Sequence, residues 1–276
     1  MSQEDRRHEI ARKKVVYRMP GMDAVTVRRD EVFPAADGEA LAMDLYHPPD
    51  RKSDAPPPAV LFVVGYRDAG SQRILGCRAK EMESFIGWAR LTAASGMIAV
   101  TYTTGADPAA DARAALRHLR QRAGDLGIDA ARIGLWACSG HVPNALSLLG
   151  EEKESLKCAA LFYGYMLDLD GNAAVAEGSR AFGFVNPGAG KSVADLPPDM
   201  PLFIARAGRD EMPGLNGTID RFLAASLAGS LPVTLVNLPD APHAFDIMDD
   251  RESSREAIRQ SLAFLRFHLS ALDWGP

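Results

Sequence analysis

The chain has 276 residues, 47% of them hydrophobic, a length that one large α/β domain accommodates. Its net charge is -5, so no basic surface argues for nucleic acid or for an anionic membrane. The three cysteines, Cys77, Cys138 and Cys158, are odd in number and lack C-x-x-C spacing, which argues against a disulfide framework or a zinc site.

Residues 1–23 form an arm rich in both charge signs. It has no apolar run of the secretory type, and Glu4, Asp5 and Glu9 disfavour an organelle transit peptide. An amphipathic arm of this kind would pack on the body of the protein or on a second copy in a homodimer. No stretch is long enough to span a bilayer. A cytoplasmic location is the expectation, with Cys77 and Cys158 as ordinary free thiols.

Residues 24–276 read as one domain. Two strands near Ala24–Phe33 and Leu41–His47 are joined across the turn signal Ala36-Asp37-Gly38. Pro49–Pro58 is a charged, Pro-rich exposed linker. Strand Val60–Val64 follows, then a long loop through Gly76. Lys80–Ser95 reads as a helix closed by Gly96, and Met97–Thr103 as a buried strand. Asp107-Pro108 supplies an N-cap and a first-turn proline. The helix they open turns Ala112, Ala115, Leu116 and Leu119 inward and Arg113, Arg117 and Arg120 outward.

Strand Ile133–Cys138 leads into a helix over Val142–Leu149, where Pro143 is tolerable only in the first turn. Strands Cys158–Tyr163, Leu202–Ala207 and Val233–Leu238 follow, with a helix near Leu215–Ala228 between the last two. A C-terminal helix, Arg251–Leu272, packs Ile258, Leu262, Leu265 and Leu269. Such alternation implies a mostly parallel sheet with helices on both faces. Residues 164–201 form the one irregular insertion, rich in Gly, Ala and Asp and carrying Tyr165, Phe182 and Phe184. Long loops in compact domains are usually functional.

The most informative stretch is Arg132-Ile-Gly-Leu-Trp-Ala-Cys-Ser-Gly-His141, a short apolar strand running straight into a helix start with a hydroxyl at the bend. It resembles the nucleophile elbow of the α/β-hydrolases, and its wording is similar to the elbow strands of their dienelactone hydrolase and acyl-esterase branch. The common pattern is G-x-S-x-G. Around Ser139 the chain reads Ala-Cys-Ser-Gly-His, small two before the serine but not two after. Centred on Cys138 it reads Trp-Ala-Cys-Ser-Gly and breaks the rule on the other side. Counted from Arg132, Ser139 takes the nucleophile's place; some members of the branch use cysteine, which keeps Cys138 open.

The resemblance spans roughly Glu39 to Leu269. It implies an α/β-hydrolase fold and a triad in the chain order Ser, acid, His. Asp210 ends the stretch Pro201-Leu-Phe-Ile-Ala-Arg-Ala-Gly-Arg-Asp, with Glu211 as runner-up acid and Asp246 third. His243 follows the last strand and a Pro-rich loop. The other histidines fit poorly: His8 lies in the arm, His118 and His268 on helices, His47 before the elbow and His141 within it. The oxyanion hole would pair the Gly140 N–H with that of Tyr66, where relatives often read His-Gly-Gly. Tyr66, His141, Phe182 and Phe184 are the candidate substrate-binding residues, with the insertion as a small lid.

Together these imply a serine hydrolase of a carboxylic ester, with short acyl or compact aryl groups, that needs no cofactor or metal. The near alternative is a dienelactone-type lactone hydrolase using Cys138. A peptidase or amidase would lack an appended docking domain. The alternative of another class is a non-catalytic small-molecule-binding protein on a hydrolase scaffold.

Overall fold

A computed structural model describes residues 7–49 and 55–270. Most of the linker Pro49–Pro58 and the expected helix end at Leu272 lie at or outside those limits. The strands are β1 (Thr26–Pro34), β2 (Ala40–His47), β3 (Ala59–Phe62), β4 (Ile98–Tyr102), β5 (Ile133–Cys138), β6 (Ala159–Phe162), β7 (Leu202–Arg209) and β8 (Val233–Pro242). They form one sheet in the order β1-β2-β4-β3-β5-β6-β7-β8. The β1–β2 and β2–β4 pairs are antiparallel, and every later pair is parallel.

The helices are α1 (Asp68–Leu75), α2 (Glu83–Ala94), α3 (Pro108–Gln121), α4 (Ala123–Leu126), α5 (Val142–Glu151), α6 (Ala174–Phe182), α7 (Leu215–Ala228), α8 (Phe245–Met248) and α9 (Glu252–His268). The cap read from the sequence opens α3: Asp107 Oδ1 accepts from Ala109 and Ala110 N–H. Ala112, Ala115, Leu116 and Leu119 are buried, as their spacing requires.

Both sheet faces are covered. Phe62, Trp136, Ala160 and Phe203 are register partners across β3, β5, β6 and β7, and so share a face. Phe85 and Trp88 of α2 pack on Trp136, and Phe264 of α9 packs on Phe203. On the alternate positions Leu61, Leu135, Leu161 and Ile204 are fully buried as well. Strands without a wet face read as continuous apolar runs, which is why the central ones were visible in the sequence.

Three expectations are corrected. The stretch after β3 is not loop through to Gly76; it contains α1. The insertion is not irregular throughout, since it holds α6 and a 3-10 turn at Val193–Asp195. Most of the Pro-rich stretch before His243 continues β8 as far as Pro242. From Arg7 onward the arm packs on the body: Ala11 and Val15 are buried, and Val16 N–H donates to Asp246 O at 2.8 Å.

Candidate active site

β5 ends extended at Cys138 (φ -136°, ψ 155°), and the next residue, Ser139, has φ 51°. A non-glycine residue in the left-handed region is strained by about 1–3 kcal/mol. The strain buys a reversal sharp enough to lift the serine side chain off the strand before a 3-10 turn (Ser139–His141) leads into α5. Pro143 falls in the first turn of α5, where its missing N–H does no harm.

Ser139 Oγ lies 2.9 Å from His243 Nε2, and His243 Nδ1 lies 2.6 Å from Asp210 Oδ2. A carboxylate only accepts, so the Nδ1 proton points at Asp210 and Nε2 is left to accept from the serine. The Asp210 side chain is fully buried and that of His243 is 27% exposed. Asp210 Oδ1 also accepts from Met212 N–H at 2.9 Å, which fixes the carboxylate in its turn. Asp210 follows the end of β7 and His243 the end of β8, so both reach Ser139 from the carboxyl edge of the sheet. Glu211, the runner-up acid, is exposed.

Asp246, the third candidate acid, is buried elsewhere. Its carboxylate accepts from Trp88 Nε1–H at 2.6 Å and from the Tyr163 hydroxyl at 2.5 Å. Burial raises its pKa above the ordinary carboxylate value, while those two donors pull it back. The Tyr163 ring stands edge-on to His243, centroids 4.9 Å apart. Tyr163 and Trp88 were not singled out from the sequence; nothing local marks an aromatic ring as the wall behind a base.

The Cys138 alternative fares poorly in this geometry. Cys138 is the extended residue before the bend, and burial, then the Asp246 charge, push its thiol pKa far up. That keeps it a thiol, whereas the thiolate is the nucleophile.

On the other side of Ser139 runs the loop Val64-Gly65-Tyr66. Val64 N–H donates to the Tyr102 hydroxyl, and Val64 O accepts from Asn144 Nδ2 at 2.8 Å. Gly65 N–H donates to His141 Nδ1 at 2.8 Å, and Gly65 O accepts from Val185 N–H at 2.8 Å. Tyr66 O accepts from Thr104 Oγ1 at 2.7 Å. Of the six backbone polar groups, the Tyr66 N–H alone has no acceptor among the described residues, and the Gly140 N–H has none either. Two backbone donors left without a partner beside a strained serine are the donor pair an oxyanion would need.

Close packing sets this loop on the elbow. A Cβ on Gly65 would come within 2.5 Å of Gly140 O and 3.0 Å of the His141 Cα, so only glycine fits. A Cβ on Gly140 would collide with the Tyr66 hydroxyl and meet the Phe184 ring at 2.8 Å.

The candidate substrate-binding residues divide. Tyr66 and Phe184 meet over Gly140, their rings 6.1 Å apart, and Phe184 stacks on Tyr165 at 5.3 Å. Phe182 ends α6 at 41% exposure, outside that ring cluster. His141 is 8% exposed, with its ring edge-on to Tyr66 and Phe85, and it serves the loop instead of facing open space. Among the described residues no group of three or more His, Cys, Asp or Glu side chains is arranged to hold a metal ion. No described helix is long and apolar enough to cross a membrane.

No protein-family model matches the sequence, and no curated protein matches it either. Solved structures do. A mutant of the esterase rPPE superposes with a TM-score of 0.71 at 15% identity, covering 99% of this chain and 91% of that one. A bacterial heroin esterase gives 0.66 at 16% identity, covering 93% and 88%. A thermophilic esterase from the Planctomycetes species Thermogutta terrifontis gives 0.65 at 20% identity, covering 97% and 100%. Identities this low establish a shared fold: the chain has the α/β-hydrolase fold of these esterases, with a mostly parallel eight-stranded sheet.

Proposed function

We propose that the protein is a serine hydrolase of carboxylic esters, acting through an acyl-enzyme on Ser139. The observation that carries this is the unbroken hydrogen-bond chain Ser139–His243–Asp210 facing two unused backbone donors. In the acylation step Ser139 Oγ attacks the ester carbonyl carbon while His243 Nε2 takes its proton. Asp210 holds the imidazole in the tautomer that can accept, and stabilises the imidazolium that results. The carbonyl oxygen becomes an oxyanion held by the Tyr66 and Gly140 N–H groups. His243 then protonates the departing alkoxide. Water repeats the sequence on the acyl-enzyme, giving the acid and free Ser139. No cofactor or metal ion enters.

Short acyl or compact aryl esters fit best. Tyr66, Phe184 and Tyr165 close over the elbow, and the insertion is tied to the oxyanion loop by the bond from Val185 N–H to Gly65 O. A cover of that size suits small groups and gives no reason for interfacial activation. The dienelactone-type reading with Cys138 as nucleophile is disfavoured by its place before the bend and by a thiol pKa pushed well up, which keeps it protonated.

Labelling with a fluorophosphonate, followed by peptide mapping, tests the reading. The expected result is one adduct, on Ser139, with ester turnover lost in proportion. An adduct on Cys138 would transfer the nucleophile. Absence of both labelling and turnover across short aryl and alkyl esters would point to a binding protein.

A further inference from the structure

The elbow departs from the common pattern where His141 stands two residues after the serine in place of a small residue. The imidazole there is walled in by Tyr66 (centroids 5.0 Å) and Phe85 (5.4 Å) and makes one hydrogen bond, from Gly65 N–H to Nδ1. Acceptance at Nδ1 puts the ring proton on Nε2. Burial lowers the pKa of His141 to about 4, so the ring stays a neutral acceptor at ordinary pH.

The bond matters because of its place in the chain. Gly65 immediately precedes Tyr66, whose N–H is the idle donor of the loop. Gly65 is also a residue without a side chain to restrain its torsions, pressed against the backbone of Gly140 and His141. If its N–H lost its acceptor, a buried donor would be left unpaired, and the Val64–Gly65 peptide would rotate to find another. The Tyr66 N–H lies in the next peptide plane, which shares the Gly65 Cα with the first, so a shift of Gly65 at that Cα displaces the Tyr66 N–H as well. Val185 restrains the next carbonyl, Gly65 O, but belongs to the insertion, whereas His141 belongs to the elbow itself. His141 is therefore the group that ties the second oxyanion donor to the same turn that carries the nucleophile.

We infer that His141 is a positioning residue for the oxyanion hole: its Nδ1 holds Gly65 so that the Tyr66 N–H stays aimed at the oxygen of the substrate bound to Ser139. The consequence for rate rests on the ester-hydrolase reading; the hydrogen bond itself does not.

The test compares His141→Leu, which removes the acceptor, with His141→Asn, whose Oδ1 lies near the place of Nδ1. Activity is measured on p-nitrophenyl acetate, with Tm as the check on folding. His141→Leu should lower kcat about tenfold to a hundredfold with little change in KM, as expected for a displaced oxyanion donor. His141→Asn should recover most of that loss. Inhibition by a short-chain trifluoromethyl ketone, whose serine adduct places an oxyanion in the same hole, should weaken in parallel with kcat. A merely structural histidine would not give that parallel. Unchanged kcat in His141→Leu would overturn the inference, and so would equal losses in both variants accompanied by a fall in Tm.

Backbone hydrogen exchange at Gly65 reads the bond without any substrate. Protection in wild type and His141→Asn, with exchange about tenfold faster or more in His141→Leu, supports the hold of His141 on Gly65 even if wild type hydrolyses no ester, an outcome that would sink the functional reading and not this bond. Equal exchange in all three overturns it.

Discussion

Two loops face Ser139, and they are held by different means. The base loop that follows β8 is held by ionisable groups: His243 against the buried carboxylate of Asp210, and Asp246 against Trp88 and Tyr163 behind it. The oxyanion loop that follows β3 is held by neutral partners: a phenol, a carboxamide, an imidazole, a hydroxyl and a backbone N–H. The difference follows the chemistry expected on each side. Where a proton moves, a group that can change charge must sit within reach of another that compensates it. Where negative charge appears only briefly, fixed dipoles already pointing the right way stabilise it with no rearrangement.

The base side should break hardest. Ser139→Ala or His243→Ala should lower kcat roughly a millionfold, as in other enzymes with such a triad, while Tm stays near wild type. His268→Ala, on a ring that packs against Phe264 and Phe267, should leave kcat unchanged. A variant without Ser139 that still turned over esters would remove the base side from the chemistry.

The two buried carboxylates sharpen the comparison within the base loop. Asp210→Asn should lower kcat about ten-thousandfold, because the amide no longer enforces the Nδ1–H tautomer. Asp246→Asn should act mainly on stability, since that carboxylate bonds Trp88 and Tyr163 and only the Tyr163 ring touches His243. Measured side by side by kcat and Tm, the reverse ranking would move the acid of the triad to Asp246.

The same division explains what could be read from the sequence. The base side was legible because its residue types are unusual where they stand: a carboxylate and a histidine just past the ends of apolar strands, in the order that follows an elbow serine. The oxyanion side was legible only in outline. Tyr66 and Gly140 follow from position, but the partners of the loop come from β4, α5, the loop after β4 and the insertion, which only the fold brings together. The bond from Gly65 N–H to His141 could not be read ahead, because nothing in the local sequence announces a buried acceptor.

Two helices were missed for physical reasons. α1 is short, contains Gly70 and Ser71, and is anchored at its start by bonds between Asp68 and Thr104. α6 carries Gly178 in its middle because the Tyr165 ring would lie 2.8 Å from any Cβ there. The end of α6 also separates two similar residues. Gly183 has φ 80° and turns the chain, so Phe182 is left outside and Phe184 goes in.

That separation sets the next expectation, smaller than those for the triad. Phe184→Ala should open space above Gly140 and shift the preferred acyl length upward by a few carbons, with a severalfold change in kcat/KM across the series. Phe182→Ala should change neither. A rate series on p-nitrophenyl esters of increasing acyl length checks both. Equal effects of the two substitutions, or rates that jump when the substrate forms micelles, would contradict the cover drawn from Tyr66, Phe184 and Tyr165.

A further effect lies in acid stability and comes from the oxyanion side. Burial depresses the pKa of His141 from its ordinary 6.5 to about 4. The folded state therefore holds this ring neutral where the unfolded chain would protonate it. A depressed folded pKa gives a contribution that is present in full above pH 6.5 and is lost as pH falls toward 4, about 3 kcal/mol across that window by linkage. Asp111 works the other way. Burial raises its pKa to about 6, so the folded state gains relative to the unfolded as pH falls through 6 toward the ordinary 3.8. The His268 ring, also depressed by burial, adds to the loss. Wild type alone mixes these contributions with those of other shifted groups, Asp68 and Asp246 among them. His141→Asn removes only the first, so subtracting its unfolding free energy from that of wild type cancels the contributions of all the others. Denaturant unfolding at steps from pH 7 to 4 should give a difference that moves in favour of His141→Asn as pH falls, steepest below 6. A flat difference would mean that the imidazole is protonated as readily folded as unfolded. It would then make a poor acceptor for Gly65, and the neutral character of the whole oxyanion loop would fail with it.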